Sequence, residues 1–211
     1  MNKRLYVSKY LAVAALLAVS SVLPMAAQTV TAVSTHATPA IALSSVHISN
    51  FGRINDNYYR GAQPQGSDYR DLSALGVKTI IDLTSSDRKT DERAMAEQAG
   101  MNYVQIPMTT HVPPTPEQIK QFLSLVTNSA SEPVYVHCVG GKHRTGVMTA
   151  VYRMTLNGWS ADQAFKEMKQ YKFGWEMLHP EFKKFVYSYQ PNHDLTAKGV
   201  LPAAATTTGT K

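Results

Sequence analysis

Between residues 46 and 192 the chain alternates short β-branched runs with longer stretches whose apolar positions recur every three or four residues. Val77–Leu83 (VKTIIDL), ended by Thr84-Ser85-Ser86, predicts a buried strand. Tyr103–Met108 (YVQIPM) and Val134–Cys138 (VYVHC) predict two more, and Tyr58-Tyr59-Arg60 predicts an edge strand before the turn-rich Gly61-Ala62-Gln63-Pro64. Helices are expected between them. Ser67 is placed to cap one ending at Gly76, and Thr90 to cap one ending at Gly100. Thr115-Pro116-Glu117-Gln118 carries the cap, first-turn proline and acid of a helix running to about Asn128. Further helices are expected from Arg144 to Leu156, after the Ser160–Gln163 capping box, and from His179 to Tyr189. Strands alternating with helices imply an α/β fold: a central, mostly parallel sheet of four to five strands with helices on both faces. Such sheets gather ligands at the carboxyl ends of their strands.

Outside this region the pattern changes. Lys3, Arg4 and Lys9 precede an uncharged apolar stretch from Leu11 to Leu23, and Pro24-Met25-Ala26-Ala27 offers small residues for cleavage. Residues 1–27 therefore read as a secretory signal and the domain as exported, periplasmic or secreted. The alternative is a membrane anchor through residues 10–27, close to the ~18 residues needed to span a bilayer. Residues 28–45 read as a polar linker, 46–192 as the folded domain and 193–211 as a disordered tail.

Composition adds limits. The formal charge of +6 falls to +3 without Lys3, Arg4 and Lys9, and no basic stripe is interleaved with aromatics, so nucleic acid is not an expected partner. A single cysteine forms no intrachain disulfide, so the fold is held by its core. A monomer is expected.

That one cysteine lies in Val136–Gly146, VHCVGGKHRTG, where the third strand meets a helix. Five residues separate Cys138 from Arg144, and Thr145 follows. A loop bent around one centre turns successive backbone N–H groups inward, and the helix start adds donors and partial positive charge. Gly140, Gly141 and Gly146 allow conformations that side chains would obstruct. The cradle formed by Val139, Gly140, Gly141, Lys142, His143 and Gly146 suits a tetrahedral dianion, and Arg144 can grip two of its oxygens. The same donors favour a thiolate at Cys138, whose ordinary pKa of ~8.5 can fall to roughly 3.5–7.5 in such surroundings. Cys138 is then a nucleophile for covalent phosphoryl transfer, with Thr145 placed to help the sulfur leave. His137 is expected to orient the loop from the strand end. A Walker A loop fails by counting, because His143 follows Gly141-Lys142 and Val136 stands at the first glycine's position.

These residues resemble the His-Cys-x5-Arg-[Ser/Thr] signature of the cysteine-dependent protein tyrosine phosphatase superfamily. Gly-Lys-His-Arg-Thr-Gly is most similar to atypical dual-specificity phosphatases, and YYRGAQP followed by LGVKTIIDL is similar to the entry region of bacterial members. The resemblance implies Cys138 as nucleophile, Arg144 as phosphate clamp, Thr145 as aid to the leaving thiolate, no metal and no cofactor. Its substrate would be a phosphotyrosine protein, a phosphoinositide or an inositol polyphosphate. Lys142 and His143 suit a crowded polyanion, as in related enzymes acting on inositol pyrophosphates.

One part of the pattern is missing. The superfamily usually supplies an aspartate acid upstream of the loop, yet Gln105–Phe122 contains no aspartate. Glu117 is its only acid and His111 its only imidazole, so Glu117 is the first candidate donor and His111 the second. Two other functions remain open: a non-catalytic phosphate or phosphoinositide binding module, and a rhodanese-like sulfurtransferase, which the loop length disfavours.

Overall fold

The structure is a computed structural model that describes residues 43–85, 91–174 and 178–191. The expected signal segment or anchor, the linker up to residue 42, the Thr90 cap and the tail from 193 lie outside the described residues. The elements are β1 (Gly52–Asn55), β2 (Tyr58–Ala62), α1 (Asp68–Ala74), β3 (Thr79–Asp82), α2 (Glu92–Gln98), β4 (Asn102–Gln105), α3 (Pro116–Val126), β5 (Val134–Cys138), α4 (His143–Leu156), α5 (Ala161–Gln170) and α6 (Pro180–Ser188). None of these helices is long and apolar enough to cross a membrane.

The five strands form one sheet in the order β1-β2-β5-β3-β4. β2, β5, β3 and β4 run parallel, while β1 pairs antiparallel with β2. The α/β class and the mostly parallel sheet are as the pattern predicts. The edge strand is not. Tyr58–Ala62 is buried along its whole length between β1 and β5, and the edge is Gly52–Asn55, whose GRIN sequence carries no alternation that marks a strand. The helix caps divide similarly. Thr115 and Ser160 each form the reciprocal box with the glutamine three residues on. Ser67 makes no side-chain cap, because it already has helical backbone angles and its hydroxyl does not reach the first turn.

Side chains alternate across each strand, and this decides the two sides of the site. Val134, Val136 and Cys138 face a core built with Phe122 and Leu123 of α3 and Met148, Val151 and Tyr152 of α4. Tyr135 belongs to the opposite core with Tyr69 and Leu72 of α1 and Ala96 of α2. His137 shares the face of Tyr135, its ring stacked on it at 5.8 Å. A third core joins α4, through Val147, Ala150 and Met154, to Phe165 and Met168 of α5 and Phe182 and Val186 of α6. α4 is therefore sandwiched between sheet and helices, which explains why it is buried nearly throughout.

Candidate active site

β2, β5 and β3 are aligned so that Ala62 pairs with Cys138 and Asp82 with His137. Their carboxyl ends thus finish together, and the loop from Cys138 into α4 rises from this edge. Two of its carbonyls are held from the β2 side. The Gln63 N–H donates to the Val139 carbonyl at 3.2 Å. Asn50 Nδ2 donates to the Gly141 carbonyl at 2.7 Å, and Arg60 Nη2 donates to the same oxygen. A trans peptide sets its N–H opposite its C=O. The N–H groups of Gly140 and Lys142 are therefore turned away from β2, to the inner side of the turn. Gly141 has φ +63°, and a Cβ there would lie 2.3 Å from the Gly61 carbonyl carbon, so the loop and strand meet backbone to backbone.

Cys138 is buried. Burial pushes its thiol up, but the side-chain hydroxyl and backbone N–H of Thr145, together with the charges of Arg144 and His137, outweigh this and hold it below its ordinary value. The Thr145 hydroxyl is itself buried and has no oxygen or nitrogen partner among the described residues. Arg144 is buried too, its Nη1 donating to the Met108 carbonyl at 3.1 Å, with the Leu83 carbonyl 3.5 Å away. Backbone carbonyls just beyond β3 and β4 thus hold this end of the guanidinium.

Behind the thiol lies a charged cluster that the motif does not announce. His137, Asp82 and Glu92 are completely buried. His137 Nε2 is 2.9 Å from Glu92 Oε1, and its Nδ1 is 3.9 Å from Asp82 Oδ1. Neither ring nitrogen makes a well-aligned hydrogen bond, so charge rather than directed bonding carries these contacts. Burial lowers the His137 pKa, but the close approach of Glu92 and then of Asp82 raises it further than burial depresses it. The carboxylates are secured in turn: Asp82 accepts from the Thr84 N–H and hydroxyl and from Tyr103, while Glu92 accepts from Gln63 Nε2 at 2.6 Å. Arg60 completes the support. It is fully buried with its guanidinium 4.0 Å from the Tyr171 ring centroid, and its Nε and Nη1 have no hydrogen-bond partner among the described residues.

Comparison with known proteins decides the family. Residues 44–184 match the family model described as "DSP-PTPase phosphatase fused to NAD+ Kinase". The chain belongs to this dual-specificity phosphatase family. Over 125 residues it is 31% identical to the dual specificity protein phosphatase TpbA of Pseudomonas aeruginosa, covering 59% of this chain and 56% of that protein. The chain thus spans little more than half the length of that relative. Among solved structures, the core catalytic domain of the PP-IP phosphatase SIW14 from Saccharomyces cerevisiae, in complex with citrate, aligns with a TM-score of 0.63 at 22% identity, over 75% of this chain and 98% of that one. A Cys-to-Ser variant of P. aeruginosa TpbA in complex with pTyr aligns with a TM-score of 0.58 at 25% identity, over 72% and 90%.

In this family frame three expected residues sit differently from their sequence reading. The Glu117 side chain is in the first turn of α3 and fully exposed. Its own backbone N–H, then the Thr115 hydroxyl, hold its carboxyl below the ordinary range. Glu117 thus takes part in the start of its own helix. His111 is engaged elsewhere, with Nδ1 3.2 Å from Glu181 Oε1 and its ring stacked on His179 at 4.8 Å. His143 turns its side chain away from the loop centre: its Nε2 donates to the Phe173 carbonyl at 2.8 Å, and its ring lies 3.7 Å from that of His179. Burial, then the neighbouring His179, lowers its pKa. Lys142 does face open space. With Gly140 and Val139 it lines a cavity of about 540 Å³ whose other walls include Lys172, His47 and Gln63.

Asp82 had a signal in the sequence, a lone carboxylate inside the apolar run VKTIIDL. Arg60 had one in YYRGAQP, as a charge within a strand. Glu92 had none, because an acid in a helix's first turn is unremarkable.

Proposed function

We propose that the domain is a cysteine-dependent phosphomonoesterase of the tyrosine and dual-specificity type. The observation that carries this reading is a thiol held below its ordinary pKa despite burial, beside a fixed arginine at the sixth following position. The Cys138 thiolate attacks phosphorus, the ester oxygen leaves, and a phosphocysteine forms. Water then attacks the same phosphorus, and the Thr145 hydroxyl stabilises the departing thiolate. Arg144 and the inward N–H groups match the phosphoryl oxygens in both steps. The nucleophile comes from the chain itself, so no metal or cofactor is assigned to the reaction.

With Glu117 turned to solvent, the reading favours substrates whose leaving group is a weak base, such as an aryl oxide or a phosphate. TpbA, a dual specificity protein phosphatase whose variant is known in complex with pTyr, supports the first. SIW14, an inositol diphosphatase, exemplifies the second. The basic, apolar start of the chain supports an exported enzyme.

The test is hydrolysis of p-nitrophenyl phosphate in EDTA, with vanadate as inhibitor and Cys138→Ser as control. A Cys138→Ser protein that retains full turnover overturns the cysteine mechanism. A wild-type protein that binds phosphate without turnover points instead to a binding module. A panel of phosphotyrosine peptide, phosphoinositide and inositol pyrophosphate then ranks the substrates.

A further inference from the structure

Three side chains that the proposed hydrolysis does not use converge on one edge of the domain. His111 lies between β4 and α3, and His179 and Glu181 stand at the start of α6. His111 Nδ1 is 3.2 Å from Glu181 Oε1, and His179 Nδ1 is 3.3 Å from that same oxygen. The three donor atoms all lie within 4.8 Å of one another. A tetrahedral ion with bonds of ~2.0–2.1 Å separates its ligand atoms by about 3.3–3.4 Å. Two of the three distances among these ligand atoms are thus already at length, and the third is no more than 4.8 Å.

The surroundings have the character of a metal site with an entry path. His179 is 7% exposed and is fixed by a stack on Phe182 at 5.8 Å and by its contact with His143. Glu181 is partly buried and His111 is open to solvent, its side chain 68% exposed. One rigid imidazole, one held carboxylate and one accessible imidazole leave a fourth position for water on the open side. Two nitrogens and one oxygen form a borderline ligand set, which suits Zn²⁺ and its neighbours in the first transition row over Mg²⁺ or Ca²⁺.

We propose that His111, His179 and Glu181 form a binding site for a divalent transition ion of the zinc class, which ties the segment before α3 to the start of α6. The His179 ring lies tilted against that of His143 at the start of α4, centroids 3.7 Å apart, so the ion sits one imidazole away from the phosphate loop. The site is separate from the Cys138 chemistry, and its test does not depend on activity.

The experiment uses the tag-free full chain carrying Cys138→Ser, which removes the thiolate as a competing ligand. Zn²⁺ is titrated against a chromophoric chelator, and Co²⁺ is followed by visible absorption. The expected result is one equivalent of bound ion and Co²⁺ bands of tetrahedral intensity. His111→Ala, at an exposed position, should weaken Zn²⁺ binding at least tenfold without changing the metal-free melting temperature. Glu181→Gln keeps a hydrogen-bond acceptor for both imidazoles but removes the charge, and should weaken binding by at least as much. Unchanged Zn²⁺ affinity in both variants overturns the site, as does absence of stoichiometric binding in the Cys138→Ser chain. That last result would leave the glutamate as a shared hydrogen-bond acceptor only.

Discussion

Replacing Glu92 with Gln probes how the buried charges behind the thiol act on it. The change is nearly isosteric and keeps an oxygen and an amide near Gln63, but removes the negative charge 2.9 Å from His137 Nε2. Both side chains are completely buried, so solvent screens the pair little. Removing one partner from such a pair costs about 3–5 kcal/mol, a large part of the ~5–15 kcal/mol that stabilises a typical domain. For a domain of this size that is a fall in Tm of roughly 6–20 °C. The pH dependence follows from the direction of the shift. His137 has its folded pKa raised above the ordinary 6.5, so its ionised pairing stabilises the fold fully below that value and is lost as pH rises through the folded pKa. The Tm gap between wild type and Glu92→Gln should therefore be widest near pH 5.5–6 and narrow on the alkaline side. Without Glu92 the His137 pKa should fall, so the thiol should lose part of the positive charge that lowers its own. Alkylation of Cys138 by iodoacetamide against pH reads this directly, with a higher apparent pKa in the variant. A Tm gap independent of pH, together with an unchanged alkylation profile, would refute the reasoning.

Other changes test the loop itself. Gly141→Ala places a Cβ 2.3 Å from backbone at a φ of +63°, and should cost roughly 2–5 kcal/mol by urea unfolding and remove phosphate binding. Thr145→Ala removes the hydroxyl that faces the sulfur; phosphocysteine hydrolysis should slow about 10- to 100-fold, the worth of a charge-assisted hydrogen bond, and stopped-flow should show a p-nitrophenolate burst. Arg60→Met removes the guanidinium from the Tyr171 ring and leaves the Gly141 carbonyl with Asn50 as its side-chain donor; the inhibition constant for inorganic phosphate should rise about tenfold, a loss of ~1.4 kcal/mol. Glu117→Gln should leave kcat unchanged for both aryl and alkyl phosphates, and a selective loss on the alkyl ester would restore Glu117 as the acid.

The sequence by itself carried the parts of this protein whose physics is local. β-branched runs made β3 and β5 visible, and the paired Thr115–Gln118 and Ser160–Gln163 boxes marked two helix starts, because each depends on residues no more than a few positions apart. The spacing from Cys138 to Arg144 exposed the phosphate loop for the same reason, since the turn is built from consecutive backbone units. β1 was hidden because GRIN owes its extended form to pairing with β2 rather than to any pattern of its own.

The long-range contacts that hold the loop and the charges beside the thiol were decided only by tertiary structure. Glu92 reaches His137 from α2, Arg60 reaches the Gly141 carbonyl from β2, and Met108 anchors Arg144 from beyond β4. Each contact joins residues at least 36 positions apart, from Met108 to Arg144 upward, and no local spacing encodes it. The alternation of β5 sends Cys138 to one core and His137 to the other, but only the folded sheet puts Glu92 and Asp82 where His137 points. The same holds for the acid candidates. Composition singled out Glu117 and His111, whereas packing gave the first to solvent and the second to Glu181 and His179.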